Sequence, residues 1–266
     1  VDYHTNTDIT FSLKAINEYI ESNEITFDES QYKNWWSQIN EWRDKNCLLY
    51  EQSDETIKPQ HAISRLYQLT NQKDTFVTTE VGQHQMWAAQ FYKNDESYHW
   101  LSSGGAGTMG FGFPAAIGAQ LAHPEKTVIS ISGDGGFQRT LFELATAAVH
   151  KLPIKIVVLN NHYLGMVRQW QELFFENRES GVDLEGNPDF CKLAAAYGIP
   201  SVHFKRPADC QRKIEEALAY NDGPILIHAE CVKYENVFPM IPAGAALEDM
   251  ITEPPKTKMA KPVGST

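Results

Sequence analysis

The chain has 266 residues, of which 42% are hydrophobic and 21% charged, so it has enough apolar material for a sizeable hydrophobic core. Its net charge of −11, with no dense Lys/Arg stripe to offset it, argues against nucleic acid as a partner. The apolar runs are far shorter than the roughly 20 residues of a membrane-spanning helix, so we expect no membrane partner either.

Residues 1–55 are rich in Asp, Glu, Asn, Ser and Gln, and they predict a helical connector that packs onto another part of the protein. Apolar residues at helical spacing mark two amphipathic helices, through Leu13, Ile16 and Ile20 and then through Trp35, Ile39 and Trp42. Asp28, Glu29 and Ser30 are typical capping residues for the second helix. We interpret the adjacent Trp35 and Trp36 as core residues rather than as a ligand cage.

From residue 56 to residue 238, short β-branched runs alternate with helix-length segments. The runs predict strands over residues 75–81, 100–102, 127–132, 154–160, 201–204 and 224–230. The segments predict helices over residues 61–70, 84–92, 113–121, 141–149, 164–175, 189–197 and 208–220. Several strands are apolar on both faces, which predicts an α/β fold with a doubly wound parallel sheet of about six strands and helices on both sides. Residues 239–266 hold five prolines and predict an extended C-terminal tail.

Four cysteines, Cys47, Cys191, Cys210 and Cys231, lie far apart and form no CxxC pair. This arrangement favours neither a zinc site nor a disulfide framework, so we expect buried, reduced thiols. No basic and apolar leader follows Val1. Together with the reduced thiols, this favours a cytoplasmic protein.

Three predicted strands end in unusual sequences, and ligands of open α/β sheets bind at the carboxyl ends of the strands. A Gly-Asp-Gly-Gly turn, residues 133–136, follows the third strand, Asn161 follows the fourth, and residues 104–112 hold five glycines. Glycine turns ahead of helices present N–H groups to phosphate. Since these loops hold no Lys or Arg, we expect a divalent cation as counter-charge, and the oxygens of Asp134 and Asn161 suit Mg²⁺. Taken alone, each element also fits an ordinary helix cap or turn.

The spacing of these residues resembles a known motif. Asn161 stands 27 positions after Asp134, directly behind an apolar strand, as in the thiamine diphosphate-binding motif. Residues 80–90, 107–112 and 164–172 resemble the catalytic subunit of acetohydroxyacid synthase, also called acetolactate synthase. The resemblance extends from about residue 57 to residue 250 and implies the thiamine diphosphate-binding fold.

The resemblance implies a site for thiamine diphosphate and Mg²⁺. Asp134 and Asn161 would ligate Mg²⁺ through side-chain oxygens, and Tyr163 through its main-chain carbonyl. The residues implied to contact the cofactor are Val81, Gly82, Gln83, His84, Gly107, Met109, Gly133, Asp134, Gly135, Gly136, Asn161, Tyr163, Leu164, Gly165, Met166 and Val167. Met109 would take the catalytic role of wedging between the two cofactor rings and holding the cofactor bent, which suits an adaptable apolar side chain.

The implied reaction decarboxylates pyruvate and ligates the hydroxyethyl group to pyruvate or 2-oxobutyrate, in branched-chain amino acid biosynthesis. Met166 and Trp170 are one helical turn apart, so both can face the pocket, and the resemblance implies that they contact the substrate. For Trp170 the alternative is a core position on an amphipathic helix.

The family also implies parts beyond this chain. An amino-terminal domain would hold the glutamate that activates the cofactor, and a middle domain, to which residues 1–55 would connect, would hold most contacts to FAD. Neither is present in these 266 residues, so we expect the chain alone to be inactive. The implied partners are a second copy in a homodimer or larger homo-oligomer, a small regulatory subunit, and 2-oxo acids as small molecules.

Gly136, Ala106 and Phe113 depart from the residues common in the family, which leaves substrate preference more open than cofactor identity. One alternative is another thiamine diphosphate-dependent carboligase or decarboxylase, such as the FAD-independent catabolic acetolactate synthases. Another is a stand-alone binding or assembly module that docks through Trp35 and Trp36.

Overall fold

The computed structural model describes residues 4–45, 48–71 and 74–254, and the chain divides into two units, Val1–Cys47 and Leu48–Thr266. The first unit contains α1 (Ile9–Ser22) and α2 (Lys33–Asp44), with a 3-10 turn (Glu29–Tyr32) directly before α2. The Asp8 carboxylate accepts the Thr10 amide at 2.9 Å and caps α1, and Asp28 caps the 3-10 turn in the same way. Both helices lie where the apolar spacing predicts them.

The prediction that Trp35 and Trp36 are core residues is wrong, because the two side chains are 56% and 52% exposed. The Trp35 ring meets the edge of the Trp42 ring at a centroid distance of 5.5 Å, and the Arg43 guanidinium lies over Trp36. Two helices and one turn supply too few neighbours to surround an indole ring on all sides.

Among the described residues, all six strands lie in the second unit. The strands are β1 (Thr75–Thr79), β2 (Trp100–Ser102), β3 (Thr127–Gly133), β4 (Lys155–Asn160), β5 (Ser201–Phe204) and β6 (Ile225–Glu230). The helices are α3 (Pro59–Thr70), α4 (Gln83–Phe91), α5 (Gly112–Ala122), α6 (Asp134–Phe137), α7 (Leu144–Val149), α8 (Gly165–Phe174), α9 (Phe190–Ala196) and α10 (Pro207–Ala219). The predicted helix over residues 141–149 is divided into a 3-10 turn (Leu141–Glu143) and α7.

The six strands form one sheet in the order β2-β1-β3-β4-β6-β5, and every neighbouring pair is parallel. The prediction of a doubly wound parallel sheet is therefore confirmed. The chain moves from β1 to one edge and returns to β3 on the other side of β1, so the order reverses between β1 and β3. Such a reversal opens a crevice at the carboxyl ends of the strands, where α/β domains bind ligands.

Alternate residues of the central strands enter two separate core layers. On β4, Val157 and Leu159 pack on the side of α3, α4 and α10, whereas Ile156 and Val158 pack on the side of α5, α7 and α9. Both sets are buried, which explains why this strand is apolar from Ile156 to Leu159. The two layers hold β1, β3 and β4 in register, and this places their carboxyl ends side by side.

The segment after β6 differs from its prediction. The main chains of Met240 and Ile251 exchange two hydrogen bonds, of 2.9 and 2.8 Å, and a 3-10 turn (Leu247–Asp249) lies between them. The prediction of an extended tail is therefore wrong for this stretch, because the paired amides close it into a loop. The remainder of the predicted tail, with Pro255 and Pro262, lies outside the described residues.

Three of the four cysteines lie in the described part of the chain, and none of these three is in a disulfide. Cys210 and Cys231 are buried as expected, but Cys191 is partly exposed near the start of α9, so its predicted burial is wrong. Cys47 lies outside the described residues. Within the described ranges no helix combines the length and the apolar composition that crossing a bilayer requires.

Candidate functional site

A cavity of about 260 Å³ opens at the carboxyl edge of β1, β3 and β4. It is lined by Pro59, Val81, Gly82, Gln83, His84, Trp87, Met109, Gly133, Asp134, Gly135, Gly136, Leu159, Asn161, Tyr163, Leu164, Gly165, Met166, Val167, Trp170 and Cys231. The structure thus brings together all of the predicted site residues except Gly107. Gly107 lies next to the cavity-lining residue Val81, whose side chain a Cβ at position 107 would contact at 3.4 Å.

Three glycines of the cavity are covered by polar side chains from one run, residues 80–84. A Cβ at Gly136 would overlap the Glu80 carboxyl group, and a Cβ at Gly165 would overlap the Gln83 amide oxygen. A Cβ at Gly133 would lie 2.9 Å from Nδ1 of His84. A Cβ at any of these three positions would therefore require the neighbouring side chain to move.

The Asp134 carboxylate is buried at the start of α6. Its Oδ2 accepts a 2.7 Å hydrogen bond from Nδ2 of Asn187, and among the described residues no ion pair involves this carboxylate. Burial raises the pKa of Asp134 to about 7, and the hydrogen bonds from Asn187 and from the main-chain amides of Gly135 and His162 oppose that shift. A buried carboxylate that lacks a protein cation is a natural ligand for a metal ion.

Asn161 faces the same cavity from the end of β4. Its Nδ2 donates to Oε1 of Gln83 at 3.3 Å, and its Oδ1 accepts the Tyr163 amide at 3.2 Å. Gln83 is held in turn by Gln169, whose Oε1 accepts from Nε2 of Gln83 at 2.8 Å. The Gln83 amide therefore orients the Asn161 side chain.

The three groups that the resemblance implies as metal ligands are all oxygen atoms. They are the Asp134 carboxylate, the Asn161 amide oxygen and the main-chain carbonyl of Tyr163, and all three residues line the cavity. The described part of the chain holds no cluster of three or more His, Cys, Asp or Glu side chains suited to a metal. A cation here would rely on the amide and the main chain besides one carboxylate, and hard oxygen ligands of this kind suit Mg²⁺.

The neighbouring part of the cavity has amide donors and an apolar cover. Leu164 caps α8, and the first amides of that helix, at Gly165, Met166 and Val167, belong to cavity-lining residues. The first N–H groups of a helix have no partner within it, so they can bind an anion. A Cβ at Gly135 would lie 3.6 Å from Cε of Met109, so the Met109 side chain covers the glycine turn.

Met166 and Trp170 both line the cavity from α8. Trp170 is 45% exposed, so the alternative reading of this residue as a core tryptophan is wrong. The helix is held by its neighbour Gln169, which is fully buried and exchanges hydrogen bonds of 2.8 and 3.0 Å with the main chain of Val237. The mouth of the cavity therefore has an apolar wall with a fixed position.

Several residues that support the site were missed by the sequence reasoning. Asn187 orients Asp134, Gln169 positions Gln83, and Arg168 is buried with a 2.6 Å ion pair to Glu172. Arg168 and Gln169 lie in a segment that carries the family resemblance, so a signal existed for them. Asn187 contacts a residue 53 positions away, and no local pattern indicates that contact.

Fold and site together define a cofactor-binding α/β domain with a ligand cavity at its switch point. Residues 80–229 match the family described as "Thiamine pyrophosphate enzyme, C-terminal TPP binding domain". The chain therefore belongs to this family. The match confirms the predicted fold class and supports thiamine diphosphate as the cofactor.

The chain is similar to acetolactate synthase subunits from bacteria and plants. It is 42% identical over 228 residues to the acetolactate synthase large subunit of Haemophilus influenzae, a match that covers 86% of the chain and 40% of the relative. It is 42% identical over 222 residues to the acetolactate synthase isozyme 3 large subunit of Escherichia coli, a match that covers 83% of the chain and 38% of the relative. It is 41% identical over 255 residues to the chloroplastic acetolactate synthase of Arabidopsis thaliana, with 92% and 37% covered. These matches confirm the resemblance, and the chain spans about two fifths of the length of these relatives.

Proposed function

We propose that this chain is the cofactor-binding part of the catalytic large subunit of an acetolactate synthase, and that its cavity binds thiamine diphosphate with Mg²⁺. One observation carries the proposal. The turn with Asp134 and the turn with Asn161 come from separate parts of the sequence and meet on one cavity at the switch point of the sheet. The similarity to acetolactate synthase large subunits supports the choice of enzyme.

In this proposal Asp134 and Asn161 bind Mg²⁺ through side-chain oxygens and Tyr163 binds it through its main-chain carbonyl. The buried Asp134 carboxylate lacks a cationic side chain in the described part of the chain, so a bound metal ion would supply the missing positive charge. The glycine turn at residues 133–136 lines the cavity, and its main chain would approach the diphosphate. The first amides of α8 would donate hydrogen bonds to it.

Thiamine diphosphate, when bound, supplies the electron sink for decarboxylating one 2-oxo acid and ligating the remainder to a second. The protein would position the cofactor and would exclude water from the space for the substrate. Met109, which covers Gly135, would press on the cofactor ring from the side of the glycine turn. Met166 and Trp170 would bound the space for pyruvate or 2-oxobutyrate and exclude water with their apolar side chains.

The remaining elements of the proposal rest on the family resemblance. An activating glutamate and most FAD contacts would come from parts of the enzyme beyond these 266 residues. The active enzyme would be a cytoplasmic homodimer or larger homo-oligomer with a small regulatory subunit. The 266-residue chain alone would therefore produce no acetolactate from pyruvate, which a colorimetric acetolactate assay checks.

The cofactor proposal is tested by calorimetric titration of thiamine diphosphate into the chain, once with Mg²⁺ and once with a chelator. Binding is expected with Mg²⁺ only, and Asp134→Ala is expected to abolish it. Asp222→Ala removes an exposed carboxylate and serves as the matched control, for which binding should be unchanged. Equal affinity in Asp134→Ala, or binding that ignores the chelator, would contradict the metal assignment.

The chain alone can also fail to bind, because half of a split site holds a cofactor weakly. The titration is then repeated with the amino-terminal part of a related large subunit supplied as a separate chain. Rescue that depends on Asp134 supports a site shared between two parts of the enzyme. Continued absence of binding overturns the proposed function.

A further inference from the structure

Glu80 is a fully buried carboxyl group to which the proposed mechanism assigns no role. It follows β1 directly, and its Oε2 accepts a hydrogen bond from the Gly110 amide. Burial raises the pKa of Glu80, and hydrogen bonds from the Gly110 amide and the Ser132 hydroxyl oppose that shift. An unsolvated carboxyl group is costly, so its position calls for an explanation.

The Glu80 carboxyl group occupies the space beside Gly136. The three atoms nearest to a Cβ built at Gly136 all belong to that carboxyl group, and the Cβ would overlap them. Gly118 in α5 offers a contrast, because a Cβ there would meet no atom within 4 Å. A side chain at position 136 would therefore require the Glu80 carboxyl group to move.

The same carboxyl group also reaches the loop that carries Met109. Both main-chain polar groups of Gly110 are hydrogen-bonded. Its amide donates to Glu80, and its carbonyl accepts from Oγ1 of Thr140 at 3.0 Å. Met109, the residue before it, places its Cε over Gly135. Glu80 thus lies between the Met109 loop and the glycine turn after β3, and it contacts both.

We propose that Glu80 is a positioning residue that fixes the Met109 loop against the glycine turn, and that residues 80 and 136 form one complementary packing pair. The length of the side chain at position 80 determines whether position 136 can carry a Cβ. A shorter acid at position 80 leaves room for a small side chain at position 136, and a serine there can donate a hydrogen bond to that acid.

One consequence rests on the proposed function, in which Met109 presses on the bound cofactor. Glu80 does not line the cavity, yet its removal should weaken cofactor binding by releasing the Met109 loop. The pairing of residues 80 and 136 stands on packing alone and does not need the cofactor. The two parts of the inference can therefore be tested separately.

The packing pair is tested without cofactor in the 266-residue chain, by a double-mutant cycle of Glu80→Asp and Gly136→Ser. Overpacking in Gly136→Ser is expected to lower Tm by about 5 °C or more. The double variant is expected to recover more than half of that loss, whereas independent effects would add. Gly118→Ala is the matched control, for which Tm should not fall.

Loop positioning is read from the methyl NMR signal of Met109, assigned with Met109→Leu. Glu80→Gln keeps an oxygen that accepts the Gly110 amide, so the Met109 signal should stay in place. Glu80→Ala removes the acceptor, so the signal should shift or broaden even where the chain stays folded. With thiamine diphosphate and Mg²⁺, Glu80→Ala is expected to bind about tenfold more weakly than Glu80→Gln.

Each outcome decides one part. The packing pair is overturned if the losses of Tm in the two single variants add in the double variant. It is also overturned if the Tm of the double variant is as low as that of Gly136→Ser. A Met109 signal that is the same in Glu80→Ala and Glu80→Gln overturns the positioning role. If the cycle and the NMR signal behave as expected while the unsubstituted chain binds no cofactor even with the amino-terminal part supplied, the proposed function fails and the positioning inference stands.

Discussion

The body of the sheet and its carboxyl edge are built from opposite kinds of residue, although they lie only a few positions apart. In the body of β3 and β4, side chains such as Ile129, Ile156 and Val158 are completely buried among other apolar groups. At the edge, Asp134 and Asn161 are also buried, but they are polar. Burial is shared by both regions, and only the chemistry of the buried group differs.

This difference separates stability from binding. Burying an apolar side chain stabilises the fold directly, whereas burying a carboxylate or an amide costs free energy unless a partner satisfies it. The edge therefore depends on the stability of the body, and its polar groups are arranged for a ligand. Substitutions in the body should lower the free energy of unfolding, and substitutions at the edge should lower cofactor affinity.

The largest expected effect on stability is at Val158, in the body of the sheet. Val158→Ala should lower the free energy of unfolding by about 2–3 kcal/mol, because it removes two buried methyl groups and leaves a cavity. Val149→Ala is the matched control, since Val149 on α7 is 77% exposed, and it should cost almost nothing. Urea unfolding measures both values. Equal losses for the two variants would contradict the assignment of stability to the body.

A smaller effect is expected at His228, which lies on β6 at the border between body and edge. Its Nε2 is 3.1 Å from Nδ2 of Asn160, and burial, assisted by His203, lowers its pKa to about 4. The unfolded chain takes up a proton near pH 6.5 and the folded chain does not, so stability is complete above pH 6.5 and is lost as the pH falls toward 4.

His228→Gln keeps an acceptor for Asn160 and removes this titration. As the pH falls from 6.5 to about 5, the free energy of unfolding of the unsubstituted chain should fall by roughly 2 kcal/mol because of His228. The variant should not show this decrease. The measurement is urea unfolding at a series of pH values. His150→Gln, at an exposed position, should leave the acid slope unchanged, and an equal change in both variants would speak against His228 as its source.

The smallest expected effect on stability is at Asn187, and it tests whether an edge residue can affect binding without affecting stability. Asn187→Ala removes the 2.7 Å hydrogen bond to Asp134, so affinity for thiamine diphosphate with Mg²⁺ should fall about tenfold while the free energy of unfolding changes by about 1 kcal/mol or less. Calorimetry and urea unfolding give the two numbers, with Asn71→Ala at an exposed position as control. A large loss of stability with unchanged affinity would place Asn187 in the body instead.

The sheet could be predicted because its body is apolar on both faces, a pattern that the sequence displays directly. The positions at which the strands end are predicted less accurately. The prediction extended the first strand to residue 81, whereas β1 ends at Thr79, because Val81 looks like a strand residue but lines the cavity. An apolar side chain at a ligand site carries the same local pattern as one in a core.

The site could be predicted as far as glycines, Asp134 and Asn161 mark the strand ends. The contacts that hold these residues could not, because they join distant parts of the chain. Asn187 reaches Asp134 across 53 positions, and Gln169 reaches Gln83 across 86. Such contacts depend on how the finished sheet places its crossovers, and that information is absent from any short stretch of sequence.

The parallel order of the sheet also determines when the cavity comes into existence. Neighbouring parallel strands cannot be joined by a tight turn, so each pairing waits for a long crossover to close. The three turns of the cavity belong to β1, β3 and β4, and no partly folded chain that lacks one of these strands has a complete site. A ligand can therefore stabilise, by mass action, only states in which these three strands have already paired, and it cannot guide the steps of folding before that.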